Sequence, residues 1–384
     1  MDFGLTDEQR SIVEVTRAFV ERELYPHEEE VERTGVVRPD LANQIRAKAI
    51  AAGLYAANMP EHVGGAGLDT VTWMLFEKEL GKASYALHYT CVARPSNILL
   101  AGTEAQRERF LYPCVRGERV DCLAMTEPEA GSDMRGMRTR AVRDGDGWRI
   151  RGTKHFISHV AEADFVILIA VTGTDAAGRA EMSTFLVDLD TPGVATHDGY
   201  RNVSHRGYTN SVLDFDDVRV SADALLGEEG RGLELAGTWL GSTRLQVAAS
   251  CLGRAERALA LSIAHAANRR QFGQPIGRFQ GVGFKLADMQ TELQAAELMT
   301  LYAAWKYDQG IATDADIAMA KLKSTEVLAM VADEAIQIHG GMGLMDELPL
   351  ERIWRDARIE RIWDGTSEIQ RHIICRSQLR PLGA

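Results

Sequence analysis

Several residues in this chain have types and spacings suited to chemistry. Thr126-Glu127-Pro128-Glu129-Ala130-Gly131-Ser132-Asp133 closes a β run and turns the chain. Such a turn exposes backbone N–H groups, which suit anionic or carbonyl acceptors. From pattern alone the favoured reading is a plain polar turn between strands. Arg269-Arg270 could bond a phosphate bidentately or form a solvated helix end. Gly340-Gly341 lets the backbone approach a ligand closely, or caps a helix, and both readings can hold at once. Arg244 falls early in a long helical stretch, and in an interior position it needs a partner. Asp364-Gly365-Thr366-Ser367 reads, from residue types alone, as an acidic helix start, with Ser367 and Gln370 at capping-box spacing.

Other chemistries are argued against. The chain has no G-x-G-x-x-G and no P-loop, which disfavours a dinucleotide held in a Rossmann crevice. It has no H-E-x-x-H and no G-x-S-x-G. The ten histidines form no ligand-spaced cluster, so no metal is expected and they read as solvated or structural. A net charge of −12 disfavours nucleic-acid binding. No stretch approaches the ~18 apolar residues of a membrane span, so no membrane insertion is expected. The N-terminus lacks a basic and an apolar signal region, and five scattered cysteines form no C-x-x-C pair. The expectation is a reducing, cytoplasmic setting with thiols used as small hydrophobes.

The elements that must position these residues fall into three segments. With 384 residues, 45% apolar and 26% charged, the chain has the composition of an ordinary globular protein of two or three domains. Residues 1–120 read as helices: Thr6 and Gln9 form a capping box, as do Thr103 and Gln106, and Pro39-Asp40 opens a helix that Gly53 closes. Residues 121–230 read as a β domain, a small barrel or sandwich. Asp144-Gly145-Asp146-Gly147 makes a hairpin turn there, and Phe165–Val171, Thr184–Val187 and Val212–Phe215 are strands. Residues 231–384 read as a four-helix bundle, with helices over 232–270, 279–308, 315–339 and 347–380. The fold class is α+β, multidomain and mainly α.

Four stretches in this order carry a resemblance. They are Leu123-Ala124-Met125-Thr126-Glu127-Pro128-Glu129-Ala130-Gly131-Ser132-Asp133; Phe215-Asp216-Asp217-Val218-Arg219-Val220 with Leu226-Gly227-Glu228-Glu229-Gly230-Arg231-Gly232; Arg269-Arg270-Gln271-Phe272-Gly273; and Ile338-His339-Gly340-Gly341-Met342-Gly343 through Arg355-Asp356 to Trp363-Asp364-Gly365-Thr366-Ser367-Glu368-Ile369-Gln370-Arg371. Together they resemble the acyl-CoA dehydrogenase family over essentially the whole chain. The resemblance implies the same three-part fold, with FAD between the β domain and the bundle and partly held by a neighbouring subunit. It also implies an acyl-CoA substrate, an electron-transfer flavoprotein as acceptor, and a homotetramer.

The implied roles fall residue by residue. Leu123, Met125, Thr126 and Ser132 would meet flavin, with Ser132 also near CoA phosphate. Phe156, Ile157 and Ser158 would form a second flavin stretch, although His159-Val160 stands where the family usually has Asn-Gly. The plain reading of Phe156 is a core residue of an apolar strand. Arg269, Gln271 and Phe272 would reach the pyrophosphate of the neighbour's FAD, Gln337, Gly340 and Gly341 its adenosine, and Thr366 and Glu368 would add cofactor contacts. Arg244, Trp363 and Gly365, with Ser132, would contact substrate. Asp364 would be the base that takes the α-proton of the thioester while hydride leaves for flavin N5. The family usually places Glu there, and Asp is shorter by ~1.5 Å. Thr243 stands at the family's other base position and cannot serve. Tyr85, Tyr89 and Arg94, on the helix that closes the acyl pocket, with Trp363 before the base, suggest a short, branched or cyclic acyl group; they read equally as core residues of a buried helix. A nitroalkane-oxidase-like flavin oxidase, which also uses Asp, and a weakly catalytic acyl-CoA-binding flavoprotein are the alternatives within this resemblance.

Overall fold

The computed structural model describes residues 4–92 and 94–382. Local signals in the first segment act as expected. Thr6 caps α1 (Asp7–Phe19) in a reciprocal capping box with Gln9. Pro39 opens α2 (Pro39–Ala51), and Gly53 follows its end at φ +70°. α3 (Thr70–Leu80) and the short α4 (Tyr85–Cys91) follow. Arg94 lies past the end of α4, not on it as the sequence reading placed it.

The middle segment forms one connected eight-stranded sheet: β1 (Asp121–Ala124), β2 (Arg140–Asp144), β3 (Gly147–Ser158), β4 (Phe165–Thr174), β5 (Ala180–Asp188), β6 (Val194–Asp198), β7 (Asn210–Val220) and β8 (Leu225–Leu226). The order is β6-β7-β3-β2-β4-β5-β8, with β1 parallel to β4. Asp144 pairs with Gly147, so Gly145-Asp146 is the two-residue hairpin turn. β4 is buried from Phe165 to Val171 because both its faces are covered. Val166, Leu168 and Ala170 join Trp148, Ile150, Phe185 and Leu213 in the sheet's own core. Phe165 and Ile167 pack with Phe110, Leu111 and Tyr55 of the first segment.

The third segment holds α5 (Gly232–Asn268), α6 (Gln280–Asp308), α7 (Asp314–His339), α8 (Leu350–Glu360) and α9 (Ser367–Leu379). The single last helix expected over 347–380 is two helices. Asp364 (φ +53°) and Gly365 (φ +93°) reverse the backbone between them, which an α-helix cannot accommodate. The cap of α9 is also corrected: Thr366, not Ser367, is the N-cap and accepts from the N–H of Ile369 at 3.2 Å. Cys251, Leu259, Met289, Leu293, Leu328 and Val331 fill the bundle. α5 also crosses the end of α3 at backbone contact. A Cβ on Gly253 would lie 1.9 Å from the Lys78 carbonyl oxygen. Only glycine permits that approach, which locks the first segment onto the helix carrying Arg244.

Candidate active site

A cavity of about 770 Å³ lies where β1, β3, α4, α5 and the α8–α9 turn meet. It brings together Leu123, Met125, Thr126, Ser132, Phe156, Ile157, Ser158, Arg244, Trp363, Asp364, Gly365 and Thr366. Twelve residues from four distant stretches thus share one space, as the sequence reading requires of a ligand site.

Asp364 lies on the wall of this space. Burial pushes its carboxyl up to about 6, against the pull of the Lys321 and Arg244 cations, with Glu360 adding to the rise. Arg244 is partnered as an interior Arg must be: its Nε donates to the Asp364 carbonyl oxygen at 3.1 Å. Lys321, on α7 and 1% exposed, donates from Nζ to the carbonyl oxygens of Trp363 (2.6 Å) and Gly365 (2.7 Å). The Trp363 indole donates to buried Glu360 at 2.8 Å. Glu360 also receives Arg254 at 2.6 Å and His205 Nε2 at 2.9 Å. His88, His159, His205 and His339 are buried, so several of the ten histidines are structural, and no metal-ligating cluster exists among the described residues.

A second acid lines the cavity. Asp121, at the start of β1, is pushed up to about 6 by burial, while backbone N–H groups, including that of Ser96, pull the other way. It lies close enough to Tyr89 for its charge to act on the phenol, as does that of Asp364.

Aromatic rings wall the space beside Asp364. Tyr85 stands 5.0 Å from Trp363, 5.0 Å from Tyr208 and 5.5 Å from Tyr89, centroid to centroid. His159 stacks on Tyr89 at 4.2 Å and 9°. The His159-Val160 departure therefore has a physical role: an imidazole backs the Tyr89 ring.

The β-sheet side is held by a buried ion pair. Lys154 Nζ bonds the Met125 carbonyl oxygen at 2.9 Å and Glu127 Oε1 at 2.8 Å. Glu127 also accepts the N–H groups of Arg138 and Thr139. The register of β3 slips between Lys154 and Ile157, leaving Phe156 at φ +55° with its ring 57% exposed. Phe156 is thus not a core residue, because the slip turns it out of the sheet. Ile157 alone of this stretch belongs to the sheet core.

The remaining candidates lie elsewhere. Arg269 ends α5, and Gln271 and Phe272 follow in the short hairpin Arg270–Pro275, with Phe272 at φ +50° and 93% exposed. Gln337, Gly340 and Gly341 are exposed at the end of α7. The stacked rings of His265 and His339, 4.2 Å apart, join these two helix ends. Glu368 is exposed on the first turn of α9.

Asp121, Tyr208, Lys321 and Glu360 were not singled out from sequence. Lys321 did leave a signal: with Ile317, Ser324 and Leu328 it lies on the core-facing stripe of α7, where a lysine is out of place.

In this protein a sheet and a helical bundle close a cavity lined by a carboxyl that burial holds above its ordinary range. Three family models match in order: "Acyl-CoA dehydrogenase, N-terminal domain" over residues 6–118, "middle domain" over 122–218 and "C-terminal domain" over 230–379. The chain belongs to the acyl-CoA dehydrogenase family, whose members are flavin-dependent oxidoreductases. It is 39% identical to a probable acyl-CoA dehydrogenase, YngJ, of Bacillus subtilis, covering 99% of this chain and 100% of that one. It is 34% identical to a 3-(aryl)acrylate reductase of Clostridium sporogenes, covering 98% and 99%. The structure of butyryl-CoA dehydrogenase from Megasphaera elsdenii superposes with a TM-score of 0.91 at 35% identity, covering 99% and 100%. No helix among the described residues is long and apolar enough to cross a membrane.

Proposed function

We propose that this chain binds FAD and a short acyl-CoA thioester, and that Asp364 takes the proton from the carbon next to the thioester carbonyl. The observation that carries this reading is the Asp364 carboxyl, raised to about 6 by burial in the cavity and faced by two cations. A base with that poise is ionised at neutral pH yet retains affinity for a proton. Asp121 shares the raised value but is held by backbone N–H groups rather than facing cations.

The flavin fits the residues present. The Phe156 ring and the Met125, Thr126, Ser158 and Thr366 side chains offer a planar ligand one apolar face and several hydroxyls. Bound flavin supplies the acceptor, at N5, for the hydride that leaves the adjacent carbon. The exposed set Arg269, Gln271, Phe272, Gln337, Gly340 and Gly341 would serve the FAD of a neighbouring subunit in a homotetramer. An electron-transfer flavoprotein is the proposed acceptor, and the domain boundaries are proposed near residues 120 and 230. Tyr85, Tyr89, Tyr208 and Trp363 fill the acyl end, which leaves room for a short acyl group.

The test is anaerobic bleaching of flavin absorbance by a panel of propanoyl-, butanoyl-, 2-methylpropanoyl- and octanoyl-CoA. Asp364→Asn keeps size and polarity, so it should retain FAD and bind acyl-CoA while bleaching slows by about 10³-fold. Asp121→Asn should bleach within a few-fold of wild type. The reverse pattern moves the base to Asp121.

A further inference from the structure

We propose that Lys321 is the positioning residue of the base turn: its ammonium ties the carbonyl groups on either side of Asp364 and so fixes where the carboxyl stands. The inference rests on Asp364 being the base. A lysine is rarely buried this fully without a carboxylate bonded to it. Here both hydrogen bonds of Lys321 go to main-chain oxygens, of Trp363 at 2.6 Å and of Gly365 at 2.7 Å.

The turn needs such a tie. A non-glycine residue at φ +53° is strained and persists only where its surroundings over-determine it. Three successive carbonyls are taken by donors. Lys321 holds the first and third, and Gln370 Nε2 also bonds the third at 2.9 Å. The middle one, of Asp364 itself, takes Arg244 Nε. With its backbone clamped in this way, the Asp364 side chain lines the cavity. Aspartate has one methylene fewer than glutamate with which to correct an error of placement, so the backbone must supply the accuracy.

Lys321 also contributes charge. The groups acting on Asp364 are Lys321 on α7, Arg244 on α5 and Glu360 on α8. The phenols of Tyr85 and Tyr89 on α4, and of Tyr208, in turn feel the Asp364 charge. Lys321 itself faces Asp364, Glu360, Cys251 and Arg244. Of the cations, Lys321 has the larger effect in favouring the ionised carboxylate.

Replacing Lys321 should therefore misplace the base and make it harder to ionise. Lys321→Met and Lys321→Gln are each purified as holoenzyme, and the anaerobic bleaching rate per bound flavin is followed against pH with the acyl-CoA panel above. The plateau rate should fall about 100-fold. The midpoint of the pH profile should rise by about one unit, because a positive charge near the carboxyl is gone. If the methionine variant does not fold, the glutamine variant reads the same two quantities. A lysine that merely supports the fold would change the melting temperature or FAD content and leave rate per flavin and midpoint at wild-type values; that result overturns the proposal. Asp364→Asn runs alongside. If it is inactive while both Lys321 variants match wild type, positioning alone is wrong. If Asp364→Asn matches wild type, or no acyl-CoA bleaches the wild type, the function reading fails and this inference with it.

Discussion

The two groups of residues proposed to meet ligands are held in opposite ways. Around Asp364 the carbonyls of Trp363, Asp364 and Gly365 each have a donor, and Tyr85, Tyr208 and Trp363 pack on one another. At the far end of the bundle, Phe272 is 93% exposed, its ring 6.0 Å from that of Phe279 in an edge-on arrangement. Gln337, Gly340 and Gly341, at the end of α7, are exposed as well. One group is finished within a single chain and the other is open. A base must stand accurately and lose water, which demands packing on all sides. Phosphate-binding arginines and close-approaching glycines need only reach a ligand.

The contrast can be broken by mutation at each end. The largest expected effect is at the closed end, where Asp364→Asn should cut bleaching about 10³-fold and leave FAD in place. Arg269→Ala at the open end should invert that pattern. FAD retention should weaken by ~10-fold or more, as when a charge-assisted phosphate bond is lost, with rate per bound flavin near wild type. Spectrophotometric titration of apoprotein with FAD measures this, and sedimentation tests whether the oligomer loosens with it. A monomer holding FAD at full affinity would contradict a shared site. A smaller effect is expected at the acyl wall. His159→Asn removes the support behind Tyr89 and should raise the octanoyl- to butanoyl-CoA bleaching ratio by a few-fold. An unchanged ratio would mean that the stack does not limit chain length.

The last effect is read in stability rather than in rate. The folded Asp364 carboxyl, at about 6, lies above its ordinary 3.8. The folded state therefore holds this proton more tightly than the unfolded chain. Wild type should lose stability as pH rises through that window and not regain it above. Asp364→Asn does not titrate, so its unfolding free energy from urea titration should gain on wild type across the same window, by about 3 kcal/mol. A constant difference from acid to neutral pH would show that the carboxyl is not held in a raised state.

What was legible in the sequence was local or came through resemblance. The Thr6–Gln9 box and the Asp144–Gly147 turn are set by neighbours three residues apart, so pattern suffices. Phe156 misleads as a core residue because a one-position slip in strand register reverses which way a side chain faces. The break at Asp364 is signalled by Asp364-Gly365-Thr366-Ser367 as a helix start, but the longer helical pattern runs across it because α8 and α9 are each helical on either side. Lys321 and Glu360 gain their roles from partners 42 and 155 residues away, as in the Lys321–Trp363 and His205–Glu360 contacts. No short-range pattern encodes such pairings, although a lysine on an apolar stripe marks where to look.

Strand β4 has a consequence for how the molecule opens. Its successive residues belong to three separate apolar cores: Val166 and Leu168 to the sheet interior, Phe165 and Ile167 to the layer beneath the first helices, and Ile169 and Val171 to a third that includes Ala236 of α5. Pulling any one segment away exposes part of this strand, so none can melt while the others stay intact. Its amide hydrogens should exchange with solvent only through complete unfolding, whereas those of the Arg270–Pro275 hairpin exchange through local fraying.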